Sequence, residues 1–310
     1  MRTAIRILVT ACWIASAFEC ADLFAADPAP PSAGPSGKLV PLNKQETVLL
    51  DAEGKRLVLK GEVCLREGLL EMLACLKQTK EHESILSVAT KAQTVHAGLL
   101  ALGAEPGEGV RFIPEFRPPT GQKIDIVLTW KDEEGKLHRA PAQSWVRHAT
   151  RRYFIEPLAR LPAEVKLPDD KNLKYDEKRG EMLWYGPMSE EDRDLFLSLS
   201  KDRAYQKVIR SFFEQTKLRE MKADFVFTGS AFFTDEKTGE QYYQAEAGDL
   251  ICVANFSSSV IDVNAESSAT NEGLLFEAYT ERIPPIGTQV QIELIPVFKK
   301  GADRQKSPAK

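Results

Sequence analysis

Two of the four histidines fall within one short stretch, Lys80-Glu-His-Glu-Ser-Ile-Leu-Ser-Val-Ala-Thr-Lys-Ala-Gln-Thr-Val-His96. Imidazole with carboxylate is the donor set of a zinc site and of general acid–base chemistry. His82 is thus the candidate metal ligand, and His82, Glu83, Ser84 and Cys75 are the candidate catalytic residues. The spacing fits neither H-E-x-x-H nor another compact ligand pair. A strand over residues 84–89 advances about 20 Å at ~3.3 Å per residue. A helix returning from Lys91 recovers only about 9 Å by His96, at ~1.5 Å per residue. His96 then sits on the order of 10 Å from His82, so the two rings do different work. Neighbouring residues of a strand face opposite ways, so His82 and Glu83 converge only through a turn.

The elements that must position these groups are legible. Ala92, Val95, His96, Leu99, Leu100 and Gly103 recur at helical spacing over residues 91–103, which predicts a helix that points His96 into the core. Thr90 and Gln93 fit a capping box, and Gly103 and Pro106 end the helix. Thr47–Asp51 and Arg56–Cys64 read as a hairpin around Ala52-Glu-Gly-Lys55, with Gly54 free to take a positive backbone angle. Leu69–Leu76 and Glu83–Ala89 read as further strands. Lys123–Trp130 alternates and turns at 131–136 toward Trp145, which brings Trp130 near Trp145 as core aromatics. Residues 147–221 read as a helical insertion, its main helix opened by Ser189-Glu-Glu-Asp192. Strand texture resumes at Asp224 and ends with Thr288–Ile295. The expected fold is α+β, mostly antiparallel β, with one short helix and the helical insertion inside a single domain over 39–298.

Residues 1–26 carry a basic start, an apolar run and a small-residue exit, the pattern of an export signal. A Pro/Ala/Ser-rich linker at 27–38 follows, and a basic tail closes the chain at 299–310. The expected location is the periplasm or cell envelope. The apolar run is too short to span a bilayer, and no transmembrane helix is expected after signal removal. The signal holds two basic and two acidic residues, so the mature chain keeps the full-length net charge of −4. That balance argues against a nucleic-acid partner. Cys64, Cys75 and Cys252 remain after cleavage, so at most one intramolecular bridge forms among them. Cys75, in an apolar neighbourhood, is expected to be a buried thiol of raised pKa.

Several stretches resemble the YdjY-domain family of exported bacterial proteins. They are Gly61-Glu-Val-Cys-Leu-Arg-Glu-Gly68, Thr79-Lys-Glu-His-Glu-Ser84, Val95-His-Ala-Gly-Leu-Leu-Ala-Leu-Gly-Ala-Glu-Pro-Gly107 and Gln143-Ser-Trp-Val146. Phe227-Thr-Gly-Ser230, Gly248-Asp-Leu-Ile-Cys-Val-Ala-Asn-Phe256 and Leu275-Phe-Glu-Ala-Tyr-Thr-Glu-Arg-Ile-Pro-Pro-Ile-Gly287 continue the resemblance. It covers most of residues 45–298 outside 147–221 and implies no catalytic residue. Some members carry a ferredoxin-like label, but a four-iron cluster takes four closely spaced cysteines, and no C-x-x-C occurs here.

The remaining candidates read more simply as structure. Ser230 lacks a G-x-S-x-G setting. Asp235, Glu236, Asp249 and Asp262 match no calcium loop and read as solvated turn and strand-end carboxylates. Arg147, His148, Arg151 and Arg152 form a basic surface cluster that could meet an anion. The resulting expectation is a non-enzymatic, envelope-associated binding or structural module. Its partner is an envelope protein or a small ligand, taken near residues 79–84. The rival is a metal-dependent or thiol-based enzyme or redox protein built on His82, Glu83 and the cysteines.

Overall fold

In a computed structural model, residues 37–150, 153–168, 171–265 and 275–298 are described. The expected signal at 1–26, nearly all of the linker, Arg151-Arg152 and the tail at 299–310 lie outside the described residues. The chain runs through β1 (Val40–Pro41), β2 (Val48–Asp51), β3 (Arg56–Val63), β4 (Met72–Leu76), β5 (Ser84–Val88), α1 (Ala92–Ala101), β6 (Gln122–Lys131), β7 (Leu137–Pro141) and β8 (Val146–His148). There follow β9 (Tyr153–Pro157), β10 (Leu173–Asp176), β11 (Glu181–Tyr185), α2 (Glu190–Leu199) and α3 (Arg203–Thr216). The last elements are β12 (Phe225–Phe227), β13 (Phe232–Thr234), β14 (Gln241–Tyr243), β15 (Ile251–Cys252), β16 (Ile261–Val263), β17 (Phe276–Ala278) and β18 (Gln289–Pro296).

The protein is β-rich, and its main sheet closes on itself. The order β3-β18-β6-β12-β16-β15-β4-β5 returns to β3 because β5 pairs with the second half of β3, Gly61↔Val88 to Val63↔Leu86. The first half of the same β3 edge is taken by β2, Val48↔Leu59 to Asp51↔Arg56. β6 divides its edge in the same way, giving Gln122–Ile124 to β12 and Val127–Lys131 to β7. Two long strands, each shared between short partners, thus convert hairpins into a closed barrel, which leaves few unpaired edges. Most pairings are antiparallel, but β4–β5 and β15–β16 are parallel.

Leu57, Leu59, Ile126, Leu128, Phe225, Ile292 and Leu294 fill the main core together with Val95 and Leu99 of α1. Gly98 lets α1 close on the wall, since a Cβ there would stand 2.6 Å from Leu57 Cδ1. In the β2–β3 turn the positive angle falls on Lys55 (φ 50°), not on the expected Gly54. Gly54 serves close approach instead, its N–H donating to Asp51 Oδ1 at 2.7 Å.

The segment expected to be a helical insertion is mixed. β9, β10 and β11 form an antiparallel sheet in the order β10-β11-β9. Phe154, Leu173, Met182 and Trp184 pack with Phe196, Tyr205, Ile209 and Phe212 of α2 and α3 in a second core. The helical reading holds for α2 and α3, and Ser189 caps α2 by accepting from the Asp192 N–H at 3.0 Å. It fails for Tyr-Phe-Ile-Glu-Pro157 and Glu-Met-Leu-Trp-Tyr185, short apolar and aromatic runs between turns that form strands. Among the described residues, no helix is long and apolar enough to cross a membrane.

Candidate functional site

Because β4 and β5 are parallel neighbours, Met72↔Ser84 to Leu76↔Val88, residues 77–83 must travel back from the end of one to the start of the other. They do so as a strap on the face turned away from the main core, over a small apolar cluster of Met72, Cys75, Cys252 and Phe256. The strap ends in a 3-10 turn, Glu81–Glu83. Glu83, expected to open a strand, therefore sits in the turn that lets it meet its neighbour: His82 Nε2 lies 3.7 Å from Glu83 Oε2. The His82 side chain is 76% exposed. Among the described residues, no group of three or more His, Cys, Asp or Glu is arranged to hold a metal ion.

Lys80 pins the strap. Its Nζ lies 3.0 Å from Asp249 Oδ1, 3.6 Å from Glu83 Oε1 and 3.7 Å from Glu71 Oε2. It also lies 4.7 Å from the Phe256 ring centroid. Burial pulls the Lys80 pKa down, but Asp249, Glu71 and Glu83 outweigh it and the net shift is upward. Glu71 is buried, and burial pushes its carboxyl up; the neighbouring Glu83 adds to that rise and Lys80 opposes it. Asp249 and Asp262 are buried as well, which corrects their reading as solvated carboxylates. Burial raises Asp262 to about 7, although the N–H groups of Val263 and Phe256 and the Asn255 amide donate to it. Sequence reasoning missed Glu71 and Lys80 and took Asp249 for a solvated acid, because these three come together only when the strap returns past β4; Asp262 is buried separately, under Asn255 and Phe256.

All three described cysteines are free thiols. Cys75 departs from expectation. The influence of the neighbouring Cys64, Ser84 and Lys80 groups outweighs burial and brings Cys75 down to about 7. Cys64 moves the other way, pushed up by the neighbouring Cys75 and then by burial. Cys252 is fully buried, and burial with the nearby Asp262 and Asp249 drives it well up.

His96 lies on the inward side of α1. Tyr243 OH donates to Gly229 O at 2.9 Å, so its 2.7 Å contact with His96 Nδ1 makes that nitrogen the donor. The ring meets Phe227 edge-on at 5.1 Å, and burial lowers its pKa. The capping box at Thr90 and Gln93 does not form. Glu246, distant in sequence, accepts from the Gln93 N–H at 3.0 Å in its place. Arg147 is drawn into pairs with Glu277 at 2.8 Å and Glu281 at 3.1 Å, so it is not a free surface cation. Asp235 does sit in a turn and accepts from the Lys237 and Thr238 N–H groups. Ser230, at φ 55°, donates to Ser258 O at 2.6 Å.

The open space lies elsewhere. The β6–β7 hairpin and the 281–289 segment wall a cleft of about 570 Å³ that contains Trp130, Asp132, His138, Arg282 and Pro284. A groove of about 420 Å³ adjoins it along Gly61, Thr129, Leu137 and Gln291. The hairpin register sets Trp130 opposite His138, and their rings stack at 5.3 Å and 17°. Trp145 meets Trp130 edge-on at 5.0 Å, as expected for neighbouring core aromatics. His138 Nε2 lies 2.6 Å from Asp132 Oδ2 and holds the Asp132 carboxyl below its usual range. Arg282 packs over Tyr279 at 4.3 Å and pairs with Glu220 at 2.5 Å. The lining carries Asp132, Glu133, Glu134 and Glu281 against Lys131 and Arg282, so the cleft is acidic. Trp130-x-Asp before a short turn and His138 after it was the available signal, hidden by reading Trp130 only as core.

The model of the YdjY domain matches residues 47–155 and 170–294. The chain belongs to the YdjY-domain family. In this YdjY-family chain the matched segments include the strap, the three described cysteines and both strands of the cleft hairpin. The match breaks between 155 and 170, inside the second core. No curated protein and no solved structure is significantly similar to the chain.

Proposed function

We propose that this protein is an exported, envelope-associated binding module without catalytic activity, and that it takes a small amine-bearing ligand in the Trp130–His138 cleft. The cleft itself carries the reading: an aromatic stack beside a concave, net acidic lining suits an organic cation, whose charge is attracted by the carboxylates and whose carbon skeleton lies against the rings. The strap at 79–84 is the other place where a ligand could bear, with His82 exposed at its crest. Its cation is already shared among three carboxylates, which supports reading it as the clasp that holds the outer wall. Export rests on the pattern of residues 1–26, and deleting them should leave the protein in the cytosolic fraction. Titration calorimetry with putrescine and spermidine tests the cleft. Wild type should bind at least one of them with a sub-millimolar Kd, and Trp130→Ala and Asp132→Asn should each weaken that binding tenfold or more. Binding that survives both substitutions, or no binding to either amine, would refute the assignment.

A further inference from the structure

Between α1 and β6 the chain runs out and back as a narrow antiparallel ribbon. Its arms are tied by the Gln122 N–H donating to Glu105 O at 3.0 Å and the Thr120 N–H donating to Glu108 O at 2.9 Å. Farther out, the Arg111 and Arg117 N–H groups donate to each other's carbonyls at 3.1 and 2.7 Å and close a neck. The foot of the ribbon is fixed to the barrel wall, where the Gly107 N–H donates to Phe227 O at 2.9 Å. Beyond the neck only Phe112-Ile-Pro-Glu-Phe116 remain. The rings of Phe112 and Phe116 are half-buried and lie 5.9 Å apart, whereas Ile113 is 87% exposed, more than any other large hydrophobic side chain among the described residues. A slack loop would fold such a residue away from water; this one is held out by its tied neck, as an apolar tip with a polar collar.

From this geometry we infer that the tip docks on a bilayer surface of zwitterionic phospholipid, with Phe112, Ile113 and Phe116 entering the boundary between headgroups and acyl chains. Its reach fits: Ile113 stands two residues beyond the neck, about 7 Å at ~3.3 Å per residue, and interfacial segments bury their apolar face by about 5–10 Å. Its charge fits as well. Arg111 and Arg117 face each other across the neck with over half of each side chain exposed, and each has a carboxylate of its own, Glu108 at 2.7 Å and Glu115 at 3.1 Å. A neutral collar that offers both signs complements a headgroup of phosphate and ammonium, and it gives no net attraction to an anionic bilayer. Five residues fall short of the ~800 Å² per partner of a stable protein interface, whereas a convex tip can sink all of its apolar area into fluid lipid. Pro114 brings no N–H to the inserted turn, and the other peptide groups stay at headgroup depth, where water reaches them. The β13–β14 hairpin also exposes Phe232 and Phe233, but its turn carries Asp235, Glu236 and Glu240 against Lys237, so it stays outside the contact. Membrane docking presupposes the export proposed above.

The test is flotation of the mature protein on a density gradient with vesicles of phosphatidylethanolamine and phosphatidylcholine. Wild type should float with the vesicles. Ile113→Asp should weaken partitioning about tenfold or more, with an unchanged Tm because the side chain it replaces packs against little. Phe233→Ser, which removes an exposed ring from the other hairpin, should float as wild type does. A wild type that stays behind with free protein, an Ile113→Asp variant that floats undiminished, or a Phe233→Ser variant that fails equally overturns the inference. So does flotation that appears only when phosphatidylglycerol is added, since attraction by charge would then replace insertion. Sedimentation velocity without vesicles covers the rival occupant: self-association that Ile113→Asp abolishes would give the tip to a second copy and overturn lipid docking. A protein that is exported from cells but does not float fails on docking alone, with the export reading intact.

Discussion

Replacing Lys80 with Met keeps most of the side-chain volume and removes the ammonium from among Asp249, Glu83 and Glu71. The Glu71 and Asp249 side chains are only 4% and 6% exposed, so two carboxylates are left in poor solvent contact. Removing one partner of a buried ion pair costs about 3–5 kcal/mol. The lower end applies, because Lys80 is itself 24% exposed and burial already works against its charge. A loss of about 3 kcal/mol at neutral pH lowers Tm by ~6–12 °C for a domain of this size. The sign of the pH dependence follows from Glu71. Its folded pKa is raised, so its ionisation opposes folding as pH climbs through that value, and Lys80 holds the rise in check. The Lys80→Met deficit should therefore be larger at pH 7.5 than at pH 5, and Glu71→Gln in the Lys80→Met background should recover part of it. Calorimetric melts at both pH values measure this. A Tm change below ~2 °C at pH 7.5, or equal deficits at the two pH values, would show that the strap is not held by this cluster.

His96 supplies a second pH test. Burial depresses its folded pKa below the unfolded value, so its contribution is complete above about pH 6.5 and is lost as pH falls. His96→Gln should flatten the decline of the urea midpoint between pH 7.5 and 5.5; an unchanged slope would mean that another group sets it. Gly98→Ala should destabilise by roughly 1–2 kcal/mol even though alanine favours helix, because the new methyl collides with Leu57. A gain in stability in chemical denaturation would place α1 further from the wall. The amine titration of the cleft stands beside these as a binding test.

Local pattern made the β2–β3 and β6–β7 hairpins, the 92–101 helix and the inward face of His96 readable, since each depends on residues within one or two turns of one another. What escaped depends on distant partners. Glu246 caps α1 from 153 residues away, and no capping box predicts that. Asp249 looks like an ordinary loop acid until Lys80 of the strap reaches it, and Asp262 like a strand-end acid until Asn255 and Phe256 fold onto it. Barrel closure depends on β3 pairing with β5 and β18 at once, and the alternation of β3 specifies its faces but not its neighbours. Strand arithmetic did separate His82 from His96, yet it placed Glu83 in a strand because a three-residue 3-10 turn carries no periodicity to detect.

The last strand lies in the middle of the sheet. β18 pairs on one side with β3 and on the other with β6, so both neighbours are made long before the element that joins them. A chain emerging from its N-terminus must carry two bare strand edges until residues 289–296 arrive, an interval in which association with other chains competes with closure. Truncation anywhere before Gln289 should thus leave an open, aggregation-prone seam through the centre of the molecule instead of a trimmed end. The second core, made from chain contiguous in sequence, can form during that wait.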